Sequence, residues 1–222
     1  MTQLNLGVFV SGGGTNLQAI IDACEGGRIE ATVTVVISDK EKSYALQRAR
    51  NHGIPAYHVP VGKNDSPEFK TADRRHVELL REHNVDLVCL AGYMRLIGPN
   101  MFAAYSEAIL NIHPALLPSF PGTHGQDDAA DYGVKVSGCT VHFAWPEFDT
   151  GPIIIQAAVP VLPADDGDSL AARILAQEHK IYPQAIQWYA EGRLHIEGRR
   201  VILEDARPPT IMEAIISPGL EM

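Results

Sequence analysis

A chain of 222 residues, 45% hydrophobic and 20% charged, is long enough to bury a proper core as a single domain. Its net charge of −9 and pI near 5.4 argue against a general binder of nucleic acid or anionic membrane, so an anionic ligand would have to be held by local donors. No apolar run approaches the roughly 20 residues that span a bilayer, and a strand followed by glycines lacks the basic start of a signal peptide. A cytoplasmic location is therefore expected.

Residues 4–10 are a short apolar run stopped by Ser11-Gly12-Gly13-Gly14, which reads as a buried first strand. From Thr15 to Glu25 the apolar residues Leu17, Ile20, Ile21 and Cys24 recur at helical spacing. The β-branched run 32–37 predicts a second strand, residues 43–52 a helix closed by Gly53, and 56–59 a short strand. An amphipathic helix follows over 67–83 with Val77, Leu79 and Leu80 inward, then a dense apolar strand over 86–91. After a loop at 92–95, a short helix over 99–105 leads to a strand over 108–112. This alternation, with strands apolar along their whole length, indicates an α/β domain with a largely parallel sheet.

The pattern then changes. Pro114 and Pro118 make a long helix improbable after the strand. Residues 137–144 and 152–161 read as two strands around a turn at 147–151, antiparallel to the rest. A long helix is predicted over 168–190, with Asp168 or Ser169 as its N-cap, Pro183 as a kink and Gly192 past its end. Residues 193–203 read as a hairpin turning at Glu197-Gly198, and the Pro-rich remainder as a surface tail. Cys24, Cys89 and Cys139, odd in number and set in apolar surroundings, read as reduced thiols.

The most informative segments are Asn111-Ile-His-Pro-Ala-Leu-Leu-Pro-Ser and Phe148-Asp149-Thr-Gly-Pro. Asn111 and His113 stand two residues apart at a strand end, so their side chains point the same way. A donor amide, an imidazole and an orienting carboxylate suit acyl transfer through a tetrahedral intermediate. The bland readings are a loop-satisfying Asn111 and an Asp149 that only shapes a turn. The Gly12-Gly13-Gly14-Thr15-Asn16 turn fails the dinucleotide fingerprint, because Leu17 takes its last glycine position, and fails the P-loop for want of Gly-Lys. What remains is a phosphate-sized cradle with donors from Thr15 and Asn16, or a tight turn capping the helix. No histidine pair has metal-ligand spacing and no nucleophile elbow is present, so neither a metal nor covalent catalysis is expected. Glu178, beside His179 on the long helix, reads most simply as a solvated face. Asp127, Asp128 and Asp131 read in the same way, and Trp145 and Trp188 as packing.

Four blocks carry a resemblance: Val10-Ser-Gly-Gly-Gly-Thr-Asn-Leu-Gln-Ala-Ile-Ile, Leu90-Ala-Gly-Tyr-Met-Arg, Asn111-Ile-His-Pro-Ala-Leu-Leu-Pro-Ser-Phe-Pro-Gly, and Asp149-Thr-Gly-Pro-Ile. With Gln177-Glu178-His179-Lys180-Ile-Tyr-Pro183 they resemble the phosphoribosylglycinamide formyltransferases (glycinamide ribonucleotide transformylases), of the folate-dependent formyltransferase family, over nearly the whole chain. The resemblance implies a Rossmann-like fold and a formyl group moving from 10-formyltetrahydrofolate, as co-substrate, to the amine of glycinamide ribonucleotide in purine biosynthesis. It implies Asn111, His113 and Asp149 as catalytic residues and Gly14, Thr15 and Asn16 as the phosphate site. It also places Glu178 at the ribose, against the bland reading of that face. Met94, Arg95, Leu96 and Ile97, with Asn111, then line the folate pocket.

Residues 1–105 would form the phosphate-binding half, 106–192 the catalytic and folate-binding half, and 193–222 a hairpin and tail. Small-molecule substrates are expected, without nucleic acid or membrane, in a monomer or homodimer. The chain departs from the family at His124-Gly125-Gln126, where relatives carry a second histidine. Lys70 and Arg74 are candidates for the folate tail.

Three other readings compete with this one. A formyltetrahydrofolate hydrolase, with water in place of the amine, has no use for a phosphate cradle and usually carries a domain ahead of the first strand. A methionyl-tRNA formyltransferase normally adds a basic C-terminal domain, which an acidic chain disfavours. A non-catalytic nucleotide-binding module needs no amide–imidazole–carboxylate group.

Overall fold

The computed structural model describes residues 3–208. In chain order its elements are β1 (Leu4–Val10), α1 (Thr15–Glu25), β2 (Ala31–Ser38), α2 (Tyr44–Asn51), β3 (Ala56–His58), α3 (Pro67–Glu82), β4 (Leu87–Leu90) and α4 (Pro99–Ala104). There follow β5 (Ile109–His113), α5 (Gly125–Tyr132), β6 (Val136–Phe143), β7 (Ile153–Pro160), α6 (Gly167–Ala190), β8 (Leu194–Glu197) and β9 (Arg200–Leu203). The strands form one sheet in the order β3-β2-β1-β4-β5-β6-β7-β9-β8.

The first five strands are parallel. The inner strand β4 is a continuous apolar run with all four residues buried, as a strand covered by helices on both faces requires. Leu6, Val8 and Val10 of β1 face a core shared with α1, α2, α5 and α6. Phe9, from the same strand, faces a second core shared with α3 and α4. The chain winds from β1 outward through β2 to β3, then returns to lay β4 and β5 on the other side of β1. The carboxyl ends of β1 and β4 thus flank the switch point where open α/β sheets form their clefts.

β6 runs antiparallel to β5, as expected. β7 does not keep that direction: it is antiparallel to β6 and so runs parallel to the first five strands, because the turn between these two paired neighbours reverses the chain a second time. The pairing of β6 with β5 sets His142 directly opposite Asn111 and Thr140 opposite His113. β8 and β9 form the expected hairpin, and β9 meets β7 through the pair Ile153–Arg200.

Two elements differ from expectation. Residues 125–132 form α5, where composition predicts only a solvated acidic face. Asp127 and Asp128 occupy its first turn, where a helix dipole favours negative charge, and Ala129 is buried. The N-cap of α6 is Asp166, not Asp168 or Ser169. The Asp166 carboxylate accepts from Ser169 N at 2.9 Å, and Ser169 Oγ accepts from Asp166 N at 3.0 Å, a reciprocal capping box. Pro183 lies buried inside α6. The expected surface tail falls outside the described residues from 209 onward.

Candidate active site

β5 ends in a polar pair on an otherwise apolar strand. Asn111 is half-buried and His113 buried, and both line a cleft of about 210 Å³ at the carboxyl edge of the sheet. Asp149 reaches them from the turn between β6 and β7. Its backbone adopts φ 51°, a left-handed conformation that Asp tolerates better than most residues. One carboxylate oxygen, Oδ2, accepts from Gly122 N at 2.8 Å and lies 3.5 Å from His113 Nδ1. The second distance is within ion-pair reach but too long for a good hydrogen bond. On the other side of the ring, His113 Nε2 lies 2.8 Å from the carbonyl of Phe120. Both ring nitrogens thus face acceptors, and only a protonated imidazole can donate to both.

His142 completes the group. Its Nδ1 lies 2.8 Å from the carbonyl of Phe143, which can only accept, so Nδ1 carries the proton. Its Nε2 then has a lone pair and takes a hydrogen bond from Asn111 Nδ2 at 3.0 Å. This fixes the orientation of the Asn111 amide. Asp149 Oδ1 is 3.7 Å from His142 Nε2, but with the proton on Nδ1 this is an approach of two acceptors, not an ion pair. Burial lowers the pKa of His142, outweighing the raising effects of Phe143 O and Asp149, and so favours the neutral ring.

A polar pair also meets the cleft from α1 and α6. Asn16 Nδ2 donates to Glu178 Oε2 at 2.7 Å, and both residues are buried in its wall. Burial raises the Glu178 carboxyl above its ordinary value, an effect that the Asn16 hydrogen bond only partly offsets. The bland reading of Glu178 as a solvated face is therefore wrong: the residue is 6% exposed. Beside this pair lies the glycine turn, in which Gly14 has φ 71° and ends at the start of α1. A Cβ at Gly14 would fall 2.5 Å from that of Ala45, so only glycine fits against α2. Thr15 opens α1 and is exposed.

Met94, Arg95, Leu96 and Ile97 line the cleft beyond β4. Met94 N donates to Ser11 Oγ at 2.9 Å, which ties this stretch to the glycine turn. The Arg95 guanidinium donates to the carbonyls of Val61 and Gly62, so it holds two loops together. Lys70 and Arg74 are exposed on α3 and neither lines the cleft. Of the departing loop, Gln126 lines the cleft and His124 does not. Trp145 and Phe148 are also in its wall, so Trp145 does more than pack the core. The sequence reading missed His142. Its signal was a histidine inside an apolar strand, and only the strand register connects it to Asn111.

A mostly parallel α/β sheet with an amide, an imidazole and a carboxylate at its switch-point edge is a Rossmann-like framework whose site is equipped for acyl chemistry. Residues 4–186 match the model of the formyl transferase family. The chain belongs to that family. It is 42% identical over 206 residues, 93% of its length, to the phosphoribosylglycinamide formyltransferase of Escherichia coli (strain K12), covering 96% of that protein. It is 53% identical to glycinamide ribonucleotide transformylase 1 from Symbiobacterium toebii, with a TM-score of 0.87 over 91% of this chain and 94% of that one. A formyltetrahydrofolate deformylase from Pseudomonas syringae is also similar, 26% identical with a TM-score of 0.84, over 90% of this chain and 66% of that one.

Proposed function

We propose that this chain transfers a formyl group from 10-formyltetrahydrofolate to the amine of glycinamide ribonucleotide, a step of purine biosynthesis, with Asn111, His113 and Asp149 as its reacting groups. The observation that carries the reading is the meeting of these three side chains in one cleft that Asn16 and Glu178 also line. Leu96, Ile97, Phe102, Trp145 and Phe148 give the same cleft apolar walls, which suit the flat ring system of a folate. On this reading residues 1–105 contribute the phosphate cradle of Gly14, Thr15 and Asn16 together with the folate-lining stretch 94–97. Residues 106–192 contribute the reacting groups, the rest of the folate site including Asn111, and Glu178, a ribose contact. Residues 193–208 add the β8–β9 hairpin.

The substrate amine attacks the formyl carbon and negative charge develops on the formyl oxygen. The tetrahedral intermediate then collapses: the bond from the formyl carbon to the folate nitrogen breaks, and a proton lost by the attacking amine passes, by way of the His113–Asp149 pair, to that departing nitrogen, leaving tetrahydrofolate and the formylated ribonucleotide. Asn111 keeps one amide hydrogen free after bonding His142, and that hydrogen donates to the oxygen. His113 adds a second donor by exchanging the carbonyl of Phe120 for the formyl oxygen at Nε2. Asp149, fixed by Gly122 N, orients the ring and supports its positive charge. These interactions strengthen as charge builds, so they act on the transition state rather than on binding. His113→Ala is expected to lower kcat by roughly 10²–10³-fold, the usual cost of one such donor, with ribonucleotide affinity nearly unchanged. Equal loss of binding and turnover would make His113 structural.

The second reading, hydrolysis of the formyl folate, has support from the deformylase of similar fold. Mass spectrometry of protein mixed with 10-formyltetrahydrofolate, with and without glycinamide ribonucleotide, separates the two. Formylated ribonucleotide formed in step with tetrahydrofolate supports transfer. Formate released without the ribonucleotide supports hydrolysis and sinks the transferase reading.

A further inference from the structure

Ser43 stands at the N-cap position of α2, yet its side chain does not cap that helix. Its Oγ donates instead to the carbonyl of Gly12 at 2.8 Å, and Ala45 N donates to the same carbonyl at 3.2 Å. One turn along α2, Arg48 Nε donates to the carbonyl of Gly13 at 2.8 Å, while Arg48 Nη1 donates to Gln18 Oε1 at 3.1 Å. The stem of Arg48 lies close over the turn, with its Cδ 3.6 Å from where a Cβ of Gly14 would be. The guanidinium is steadied on the Tyr44 ring, 4.9 Å from the centroid.

These bonds fix more than the carbonyls. In a trans peptide the N–H points opposite to the C=O. Drawing the carbonyls of Gly12 and Gly13 toward α2 therefore turns the N–H groups of Gly13 and Gly14 away from it. Among the described residues neither N–H has a backbone partner outside regular elements, and both add to the unpaired donors of the first turn of α1. Asn16, 8% exposed and lining the cleft, also has a side-chain oxygen, Oδ1, with no hydrogen-bond partner among the described residues. In a chain of net charge −9, Arg48 brings a cation to this turn.

We propose that Ser43 and Arg48 are positioning residues for the phosphate monoester of the ribonucleotide: α2 clamps the two glycine carbonyls so that their amides face the phosphate, and Arg48 supplies the local positive charge. The proposal rests on the functional reading above. It differs from a structural role because it acts on the phosphate end of one substrate alone.

The test compares wild type with Arg48→Gln, Arg48→Lys and Ser43→Ala, after melting curves establish that each is folded. Calorimetry with ribose 5-phosphate, which needs no turnover, is paired with steady-state kinetics on glycinamide ribonucleotide and on glycinamide riboside, which lacks the phosphate. Arg48→Gln is expected to weaken ribose 5-phosphate binding about tenfold, the scale of one charge-assisted hydrogen bond. KM for the ribonucleotide should rise in parallel, with kcat and the KM for formyl folate held within about twofold. Arg48→Lys keeps the charge without the Nε geometry and should fall between wild type and Arg48→Gln. Ser43→Ala should shift the same constants by less.

Unchanged ribose 5-phosphate affinity in both Arg48→Gln and Ser43→Ala overturns the proposal, as does an equal loss with the phosphate-free riboside. Wild-type protein that binds ribose 5-phosphate but formylates nothing sinks the proposed activity instead. In that case the calorimetry still decides the roles of Ser43 and Arg48.

Discussion

Asn111 has two amide hydrogens, and the chain commits one of them to His142 Nε2. That bond is possible only while His142 holds its proton on Nδ1 against the carbonyl of Phe143. The Phe143 carbonyl therefore sets the tautomer of His142, and the tautomer sets which face of the Asn111 amide looks into the cleft. We expect His142→Phe to lower kcat roughly tenfold to a hundredfold, less than the roughly 10²–10³-fold for deleting a donor outright. His142→Gln, whose carbonyl can still accept from Asn111, should retain more activity than His142→Phe. Equal losses in the two variants, or a loss confined to ribonucleotide KM, would remove His142 from this chain of orientation. Asn111 and His113 were legible in sequence as a polar pair on one side of a strand end, whereas Asp149 read as a turn residue from composition and joined them only through the resemblance. His142 was not legible, because a one-residue slip of β6 would have turned it to the other face. Local composition carries no register.

At the scale of elements, most strands and helices were legible from period and punctuation, as at β1 and α1, where an apolar run meets three glycines. α5 was not, because prolines and acids ahead of and within it signal loop, while its burial of Ala129 depends on packing against α6. Glu178 shows the same limit. Its helix is amphipathic, but which polar residue is drawn inward depends on α1 packing beside α6 and presenting Asn16. Burial raises the Glu178 carboxyl, so the folded chain binds its proton more readily than the unfolded chain does. The stabilising contribution of that proton is present below the usual carboxylate range and is lost as pH rises through the raised value. Near neutral pH the residue is a cost to stability, which the proposed ribose contact would justify. Glu178→Gln, which preserves an acceptor for Asn16, is therefore expected to melt above wild type at about pH 8, with the gap closing as pH falls through the raised value toward the usual carboxylate range of about 4.3 and changing no further below it. The same variant should bind the ribonucleotide more weakly. A variant that melts lower than wild type at the higher pH would contradict a desolvation cost at this site.

Across the whole molecule, α6 spans the switch point, meeting Asn16 of α1 through Glu178 on one side and β4 and β5 through Tyr182 on the other. Tyr182, fully buried, donates from its hydroxyl toward the carbonyls of Leu90 at 3.1 Å and Leu110 at 3.0 Å. Those carbonyls precede the 91–97 stretch on β4 and Asn111 on β5, so one side chain touches both strands that deliver the cleft. Two consequences are conceivable when the hydroxyl is removed: the strands lose their alignment, or the fold only loses stability. The alignment is held independently by the β4–β5 ladder, which pairs Val88 with Ile109, Cys89 with Leu110 and Leu90 with Asn111. Stability is therefore the property that should move. Tyr182→Phe leaves the ring in place and removes a buried hydrogen bond, at a cost of about 1–2 kcal/mol. For a chain of this size such a loss corresponds to a fall in Tm of roughly 2–8 °C. We expect that fall in calorimetry, with kcat/KM within about threefold of wild type when assayed well below the melting transition. An unchanged Tm with a large loss of kcat would reverse the assignment and make Tyr182 the residue that sets the spacing of Asn111 from the 91–97 loop.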